Sequence, residues 1–473
     1  MRIAEWDAKG LVAYIGATVI DATGRAPIEQ GVVLVDGSRI TAVGTGRQVP
    51  VPSEATVVDL TGKFLLPGLM DGNVHLVPWP SWTYIEFLAR YEDRFADIAV
   101  EAAQIALSRG FTTVFDSMGP LDALLDARER IYSGATVGAR TFVAGNIVGF
   151  RAVFHMPASM ASASTAFQKR MNDRFEAGGG PELAWLSPSQ LYERMSRYGA
   201  SGVDFIKYGA TGDGEPVNSE VGQAAVLRFS PEQQSSIVRA GHDAGLPVQT
   251  HTTSAESLHI SVDLGCDAGQ HAAMTGPSRM YERTIELMLD SGYVCGTQWG
   301  PLTAGQLNTV RDGSHAMSED LNGVQGVDFT LDNALRLVAA GVPQMVSTDA
   351  GTIDPDVASD AHQWGGLGGG ASLIGEAEFI NMAAMAERGM SAMQIVQAAT
   401  INVAKAYGVD VALGTLQAGK IADMVVLERD PLADVENLRS VRDVVQGGRQ
   451  VRPVVDRVLT AASACDPGDV RRA

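Results

Sequence analysis

The sequence has few cysteines, no long apolar run and fewer basic than acidic residues. Its three cysteines, Cys266, Cys295 and Cys465, lie far apart without CxxC spacing, which argues against a disulfide framework and a cysteine-based zinc motif. No apolar run reaches about 20 residues, so no membrane-spanning helix is expected, and acidic residues near Met1 argue against a signal peptide. The 36 Lys and Arg against 55 Asp and Glu give a net charge of −19, which argues against nucleic-acid binding. We therefore expect a cytoplasmic protein without nucleic-acid or membrane partners.

The middle of the chain alternates strand-like and helix-like runs, the pattern of a parallel α/β fold. Eight strand candidates are present, the number that closes a (β/α)8 TIM barrel. They span Leu65–His75, Thr112–Asp116, Arg140–Asn146, Val203–Tyr208, Leu246–His251, Ala268–His271, Tyr293–Gln298 and Gln344–Asp349. We predict this barrel over residues 65–408. Residues 150–186 contain two Gly/Ser/Ala-rich patches and are predicted to form a long loop or lid.

Both ends of the chain are rich in short strand-like segments, such as Val12–Asp21 and Asp423–Leu427. An isolated β-ribbon is only marginally stable in water, so the two ends should pair with each other. We therefore predict a small composite β-sandwich domain formed by residues 1–64 and 409–473.

Polar residues stand at the carboxyl ends of the predicted barrel strands, where such barrels place their catalytic groups. The set is Asn73, His75, Lys207, His251, His271 and Asp349. Imidazole and carboxylate groups are the usual ligands of zinc and similar divalent ions, so the pattern predicts a metal site with open positions. Each residue taken singly has a structural alternative: a strand-end histidine is more often structural, Lys207 could extend to solvent, and Asp349 could cap a helix.

Five segments resemble motifs of the amidohydrolase superfamily and together cover nearly the whole chain. Leu66–His75 is similar to the signature PGxxDxHxH, and Phe205–Gly212 resembles the carbamylated-lysine strand of the prolidase-like and imidazolonepropionase-like branch. Val248–His251 and Ser347–Gly351 are similar to the fifth and eighth strands, and Ala418–Leu427 to the returning β-domain.

This resemblance implies catalysis by a metal-activated hydroxide, with one or two divalent ions per chain. It implies a CO2-derived carbamate on Lys207, since an ammonium cannot ligate a cation whereas a carbamate can. The implied ligands are Lys207, His251 and His271 for one ion and Asn73, His75 and Asp349 for the other. Zinc is expected, with cobalt, manganese and iron as alternatives. Asp349 is also the implied proton shuttle.

One departure from the family pattern narrows the expected substrate. Asn73 replaces the first histidine of HxH, which resembles the small subgroup of phenylurea hydrolases and molinate (thiocarbamate) hydrolase. An amide oxygen is a weaker ligand than imidazole, so the metal beside His75 is expected to bind loosely or to be absent. The resemblance implies hydrolysis of a C–N bond in a neutral urea, carbamate, thiocarbamate or amide.

Candidate substrate contacts lie in two loops. The loop after the first barrel strand is dense in aromatic residues, which could wall an apolar pocket or simply pack under the loop. The family's dipeptidases have a Gly- and His-rich carboxylate-binding segment that is missing here, and Arg151 or His155 could substitute for it. The full set of candidates is Trp79, Trp82, Tyr84, Arg151, His155 and Tyr208.

Two other functions stay open. An Xaa-Pro-type dipeptidase or N-acyl amino acid hydrolase of the same superfamily would need a cation for the substrate carboxylate. A non-catalytic relative that uses the fold as an assembly module would lose metal ligands, and Asn73 could be the first such loss. For the enzyme we expect a small-molecule substrate and a homo-oligomeric assembly.

Overall fold

The computed structural model of the chain describes residues 1–6, 8–77, 85–150, 165–211, 227–275, 278–297, 299–300, 329–352, 373–452, 454–455 and 457–458. Within these ranges the strands, in chain order, are β1 (Leu11–Val19), β2 (Ile28–Asp36), β3 (Arg39–Thr45), β4 (Thr56–Asp59), β5 (Phe64–Pro67), β6 (Leu69–His75), β7 (Phe111–Asp116), β8 (Arg140–Val143), β9 (Ile206–Gly209), β10 (Val248–His251), β11 (Ala268–Gln270), β12 (Val294–Gly296), β13 (Gln344–Met345), β14 (Ala350–Gly351), β15 (Met424–Leu427), β16 (Val441–Gln446) and β17 (Arg449–Val451).

The helices lie mostly between the central strands. They are α1 (Ile85–Tyr91), α2 (Phe95–Ser108), α3 (Leu121–Tyr132), α4 (Thr165–Glu176), α5 (Pro188–Gly199), α6 (Pro231–Asp243), α7 (Ala255–Asp263), α8 (Glu282–Ser291), α9 (Thr330–Ala340), α10 (Ala377–Glu387), α11 (Ala392–Ala398) and α12 (Ile401–Ala406), with 3-10 turns at Glu92–Arg94, Pro181–Trp185 and Val435–Arg439. Four helices begin at a capping box, in which a serine side chain and the third helical residue satisfy each other's backbone N–H groups. None of the helices in the described part of the chain has the length and apolarity needed to cross a membrane.

One sheet combines both ends of the chain, in the strand order β17-β16-β15-β5-β1-β2-β3, with β4 also paired to β1. Strand β5 joins the two ends, because it is parallel to β1 and antiparallel to β15. Side chains from both ends, including Tyr14, Val33, Leu65 and Met424, form one apolar cluster beneath it. The predicted pairing of the two chain ends is therefore present in the structure.

The central strands form two parallel sheets, ordered β14-β6-β7-β8 and β13-β12-β11-β10-β9. Hydrogen bonds join the sheets at both ends. Val148 N donates to Lys207 O at 2.8 Å next to β9, and Gly72 N on β6 donates to Val346 O at 2.9 Å, directly after β13. Each of the eight predicted segments overlaps one of these strands. The parallel arrangement brings the carboxyl ends of all these strands to one edge.

Two sequence predictions need correction. The single strand predicted over Leu65–His75 is divided at Gly68 into β5 and β6, so that its first part belongs to the terminal sheet. The loop predicted over residues 150–186 contains helix α4, whose Met171 and Phe175 are buried. The Gly/Ser/Ala-rich patches on either side conceal the apolar spacing of this short helix.

Candidate active site

The six predicted metal ligands lie on the parallel strands or directly beside them. Asn73 and His75 close β6, Lys207 is in β9, His251 ends β10, His271 follows β11, and Asp349 directly precedes β14. Four of them are buried, and His251 and Asp349 are partly buried. Six polar side chains at one edge of a sheet need mutual partners or a ligand, because burying an unpaired polar group is costly.

A chain of hydrogen bonds connects four of the six side chains. Lys207 Nζ donates to Asn73 Oδ1 at 3.0 Å, and Asn73 Nδ2 donates to Asp349 Oδ1 at 2.8 Å. His75 Nε2 lies 2.9 Å from the same carboxylate oxygen. Asn73 therefore lies between the lysine and the carboxylate, and its amide satisfies both.

The polar partners of His75 test whether its surroundings fit a cation. Its Nδ1 lies 3.2 Å from the carbonyl oxygen of Met118, which can only accept, so Nδ1 carries a proton. In a neutral ring Nε2 then presents a lone pair to Asp349, which as a carboxylate also only accepts. Two acceptors cannot form a hydrogen bond with each other, so the contact needs either a proton on Nε2 or a cation between Nε2 and the Asp349 carboxylate. An imidazole nitrogen and a carboxylate oxygen are both ligands that a divalent metal accepts.

His251 and His271 form the second part of the site, with ring centroids 4.6 Å apart. Burial, the neighbouring His271 and the charge of Lys207 hold the pKa of His251 well below its ordinary value. Burial also lowers the pKa of His271, to about 4, although Asp349 acts in the opposite direction. Both rings are therefore neutral near pH 7 and keep the lone pairs that a metal ion requires.

Asp349 is held in its ionised form. Removal from water alone would raise its pKa, but the hydrogen bond with His75 and the charges of His75, His271 and Lys207 hold the pKa well below its ordinary value. A carboxylate that stays ionised beside two neutral imidazoles can ligate a cation or accept a proton.

The backbone is strained at two of the predicted ligands. His271 and Asp349 both have φ of 60°, in the left-handed region that non-glycine residues seldom occupy. Such conformations persist where the surrounding structure fixes them, and they concentrate at functional sites. The strain therefore supports a functional assignment for both residues.

Two buried carboxyl groups near the site were missed by sequence reasoning. Asp71 accepts the backbone N–H of Asn73 at 2.9 Å and the hydroxyl of Thr348 at 2.5 Å, and burial raises its pKa to about 7. Asp116 accepts the Leu76 N–H at 2.7 Å, and burial raises its pKa to about 7 despite the charges of His75 and Lys207. Asp116 ends a predicted strand, so its position alone could have identified it.

Of the six predicted substrate contacts, Tyr208 alone lies within the described residues. Trp79, Trp82, Tyr84, Arg151 and His155 lie outside the described residues. Tyr208 points away from Lys207, since neighbouring residues of a strand face opposite sides. Its buried hydroxyl donates to Gln234 Oε1 at 3.1 Å on α6 and lies 3.6 Å from Cys266 Sγ, so the structure places it behind the strands and not in a substrate pocket.

Both the sequence and the fold have counterparts among known proteins. Residues 64–451 match the amidohydrolase family. A solved structure of molinate hydrolase has a TM-score of 0.85 at 35% identity and covers 96% of this chain and 98% of that one. A solved structure of phenylurea hydrolase B has a TM-score of 0.82 at 33% identity and covers 94% and 99%. A 5-methylthioadenosine/S-adenosylhomocysteine deaminase of Symbiobacterium thermophilum is 26% identical over 271 residues, and the match spans 52% of this chain and 58% of the deaminase.

Proposed function

Because the chain belongs to the amidohydrolase family, we propose that it hydrolyses the C–N bond of a neutral urea, carbamate, thiocarbamate or amide. The observation that carries this proposal is Asn73, whose amide joins Lys207 to Asp349 in the position of the first histidine of HxH. The two solved relatives are named for molinate and phenylurea hydrolysis, which supports the same class of scissile bond.

We also infer the architecture in which this chemistry takes place. The parallel strands, joined by hydrogen bonds at both ends, form a (β/α)8 barrel over residues 65–408. Residues 1–64 and 409–473 form the second domain, with β5 at the boundary. This division would place the candidate site on the barrel alone.

The six strand-end residues would hold one or two divalent ions. Lys207, as a carbamate, would bind one ion with His251 and His271. Asn73, His75 and Asp349 would surround the other. When bound, a divalent metal supplies Lewis acidity, which polarises a carbonyl group and makes water a stronger acid.

The protein's own residues perform the proton transfers and the positioning. Asp349 accepts a proton from the attacking water and delivers it to the leaving nitrogen, since its carboxylate is ionised near neutral pH. His251 and His271 remain neutral donors of lone pairs. Asp71 and Thr348 fix the backbone next to Asn73 and Asp349, so both side chains keep their orientation.

A hydrolysis screen tests the proposed function. We expect metal-supplemented protein to release amines from phenylureas or thiocarbamates, and not to cleave Xaa-Pro dipeptides or N-acyl amino acids at comparable rates. Activity confined to the dipeptides or N-acyl amino acids would contradict the proposal in favour of that branch, and the absence of hydrolysis together with the absence of bound metal would favour a non-catalytic assembly protein.

The Asp349→Asn variant tests the proton shuttle. An amide cannot take the proton, so we expect kcat to fall by about 10² to 10⁴-fold while at least one metal ion stays bound. Asp126→Asn is the matched control, because Asp126 is exposed on α3 and pairs only with Arg130 among the described residues. Near-normal turnover of Asp349→Asn on the same substrate would remove the proposed role.

A further inference from the structure

Phe150, in the segment that follows β8, places an aromatic ring beside the candidate site. The Phe150 ring is buried, with its centroid 5.1 Å from that of His251. It rests on Gly209, where any Cβ would collide with the ring. Gly209 lies two residues after Lys207 on β9 and therefore faces the same side of the strand. Phe150 thus forms one wall of the site.

Arg228 lies over this ring. Its guanidinium carbon is 6.0 Å from the centroid of the Phe150 ring. Its backbone N–H donates to Ala210 O at 2.9 Å, directly after β9, which fixes the start of the side chain. A Cβ at Gly149 would lie 3.2 Å from Arg228 Cγ and 2.6 Å from Phe229 Cε2, so this packing depends on a glycine there.

No anionic partner of Arg228 is present among the described residues. Its Nε is buried and has no hydrogen-bond partner. The Nε atoms of Arg128 and Arg140 are also buried without a hydrogen-bond partner, but their guanidinium groups each pair with a carboxylate, that of Asp204 and Asp423 respectively. A guanidinium remains charged in proteins, and a partly buried charge without a counter-charge costs free energy. An anionic group of a ligand would remove this cost.

We propose that Phe150 and Arg228 form a subsite for a carboxylate carried by the substrate. The proposal rests on the proposed C–N hydrolysis and specifies its substrate further. The bond that breaks is in a neutral urea, carbamate or amide, and a flat spacer packed against Phe150 separates it from the carboxylate. The accessible part of the guanidinium receives the carboxylate through charge-assisted hydrogen bonds.

Calorimetric titration with 4-ureidobenzoate and the neutral 4-ureidobenzamide tests the subsite. The two probes share their ring and urea and differ mainly in charge, so their difference in Kd reports recognition of the carboxylate. We expect the wild-type protein to bind the carboxylate about tenfold or more tightly than the amide, and Arg228→Met to lose this preference. Arg228→Lys should keep only part of it, because an ammonium retains the charge without the planar fork.

Arg239→Met is the matched control. Arg239 also stacks on an aromatic ring, 4.7 Å from the centroid of Tyr192, but its partner ring is on α5, outside the site. This variant should keep the full preference for the carboxylate.

Equal binding of the two probes to the wild-type protein, or no binding of either, would overturn the proposal. A preference that survives in Arg228→Met would also overturn it, since the carboxylate would then be held elsewhere, for example by bound metal. Hydrolysis of an unsubstituted phenylurea is measured separately. Its absence would contradict the proposed function, whereas its presence without a charge preference would contradict only the subsite.

Discussion

At the scale of single residues, the Asn73 side chain connects the two halves of the candidate site by hydrogen bonds. Its amide donates to Asp349 at 2.8 Å and accepts from Lys207 at 3.0 Å, so an oxygen donor stands where an imidazole would supply nitrogen. We expect the wild-type protein to bind one metal ion tightly and a second weakly. Asn73→His should tighten the second ion by about tenfold, measured by titrating metal into chelator-treated protein.

The control for this experiment is Asn437→His, because Asn437 lies in the 3-10 turn after β15 and bonds to the backbone of Asp430. It should leave both affinities unchanged. Two equally tight ions in the wild-type protein would show that the amide does not weaken the site.

Lys207 offers a second test at this scale. Lys207 is buried among imidazoles, and its ammonium group cannot bind a metal ion. It becomes a metal ligand only when it is modified to a carbamate, which carries a carboxylate group. Lys207→Ala should lose most activity and recover part of it with added acetate or propionate, whereas Lys207→Arg should not recover. Lys169→Ala, on the exposed face of α4, is the control for nonspecific effects of the acids. A crystal structure with metal bound and a free Lys207 ammonium would contradict the carbamate.

The six candidate ligands could be selected from sequence because each stands at the end of a predicted strand. Their hydrogen bonds could not, since Asn73 and Asp349 are 276 residues apart. Phe150 was not selected because its partners, Gly209 and His251, come together only in the fold. Tyr208 was misplaced because neighbouring strand residues face opposite sides, and the motif does not say which side is the site.

At the scale of elements, the junction of β5 and β6 is the place where the predicted strand was wrong. Gly68 N donates to Asp423 O at 2.8 Å, and a Cβ at Gly68 would collide with the side chain of Thr112. Residues 64–70 around this junction have no polar side chain, so the division between two sheets depends on partners that are distant along the chain. Helix α4 was missed for a related reason, because its buried face is short.

Gly68→Ala tests this junction. The added methyl group should lower the free energy of unfolding by about 1–3 kcal/mol, measured by urea denaturation, because the buried Thr112 has little room to move. Thr112→Ala in the same chain should restore part of the loss by making space. Gly46→Ala is the control, since its Cβ would be 4.0 Å from Val32, an ordinary contact. A Gly68→Ala variant as stable as the control would mean that the two strands tolerate a shift.

At the scale of the whole molecule, a buried ion pair joins the terminal sheet to the parallel strands. Arg140 on β8 pairs with Asp423, the residue before β15, and both side chains are almost completely buried. Arg140 also donates to Ala4 O at 3.1 Å and lies over the ring of Trp6, 4.9 Å from its centroid. One guanidinium therefore contacts the N-terminal segment and the C-terminal strands together.

Comparison of a single and a double variant should separate the electrostatic contribution of this ion pair from the packing of its side chains. Asp423→Leu leaves the Arg140 charge buried without its partner, so we expect a loss of about 3–5 kcal/mol in the free energy of unfolding. The double variant Arg140→Met/Asp423→Leu should lose clearly less, because neither charge is then left in the interior. Asp173→Leu, which removes one partner of the exposed pair with Lys169, should cost at most about 1 kcal/mol. If the single and double variants at the buried pair lose equal stability, the pair contributes through the shape of its side chains, and the two parts of the chain are held together by their apolar contacts.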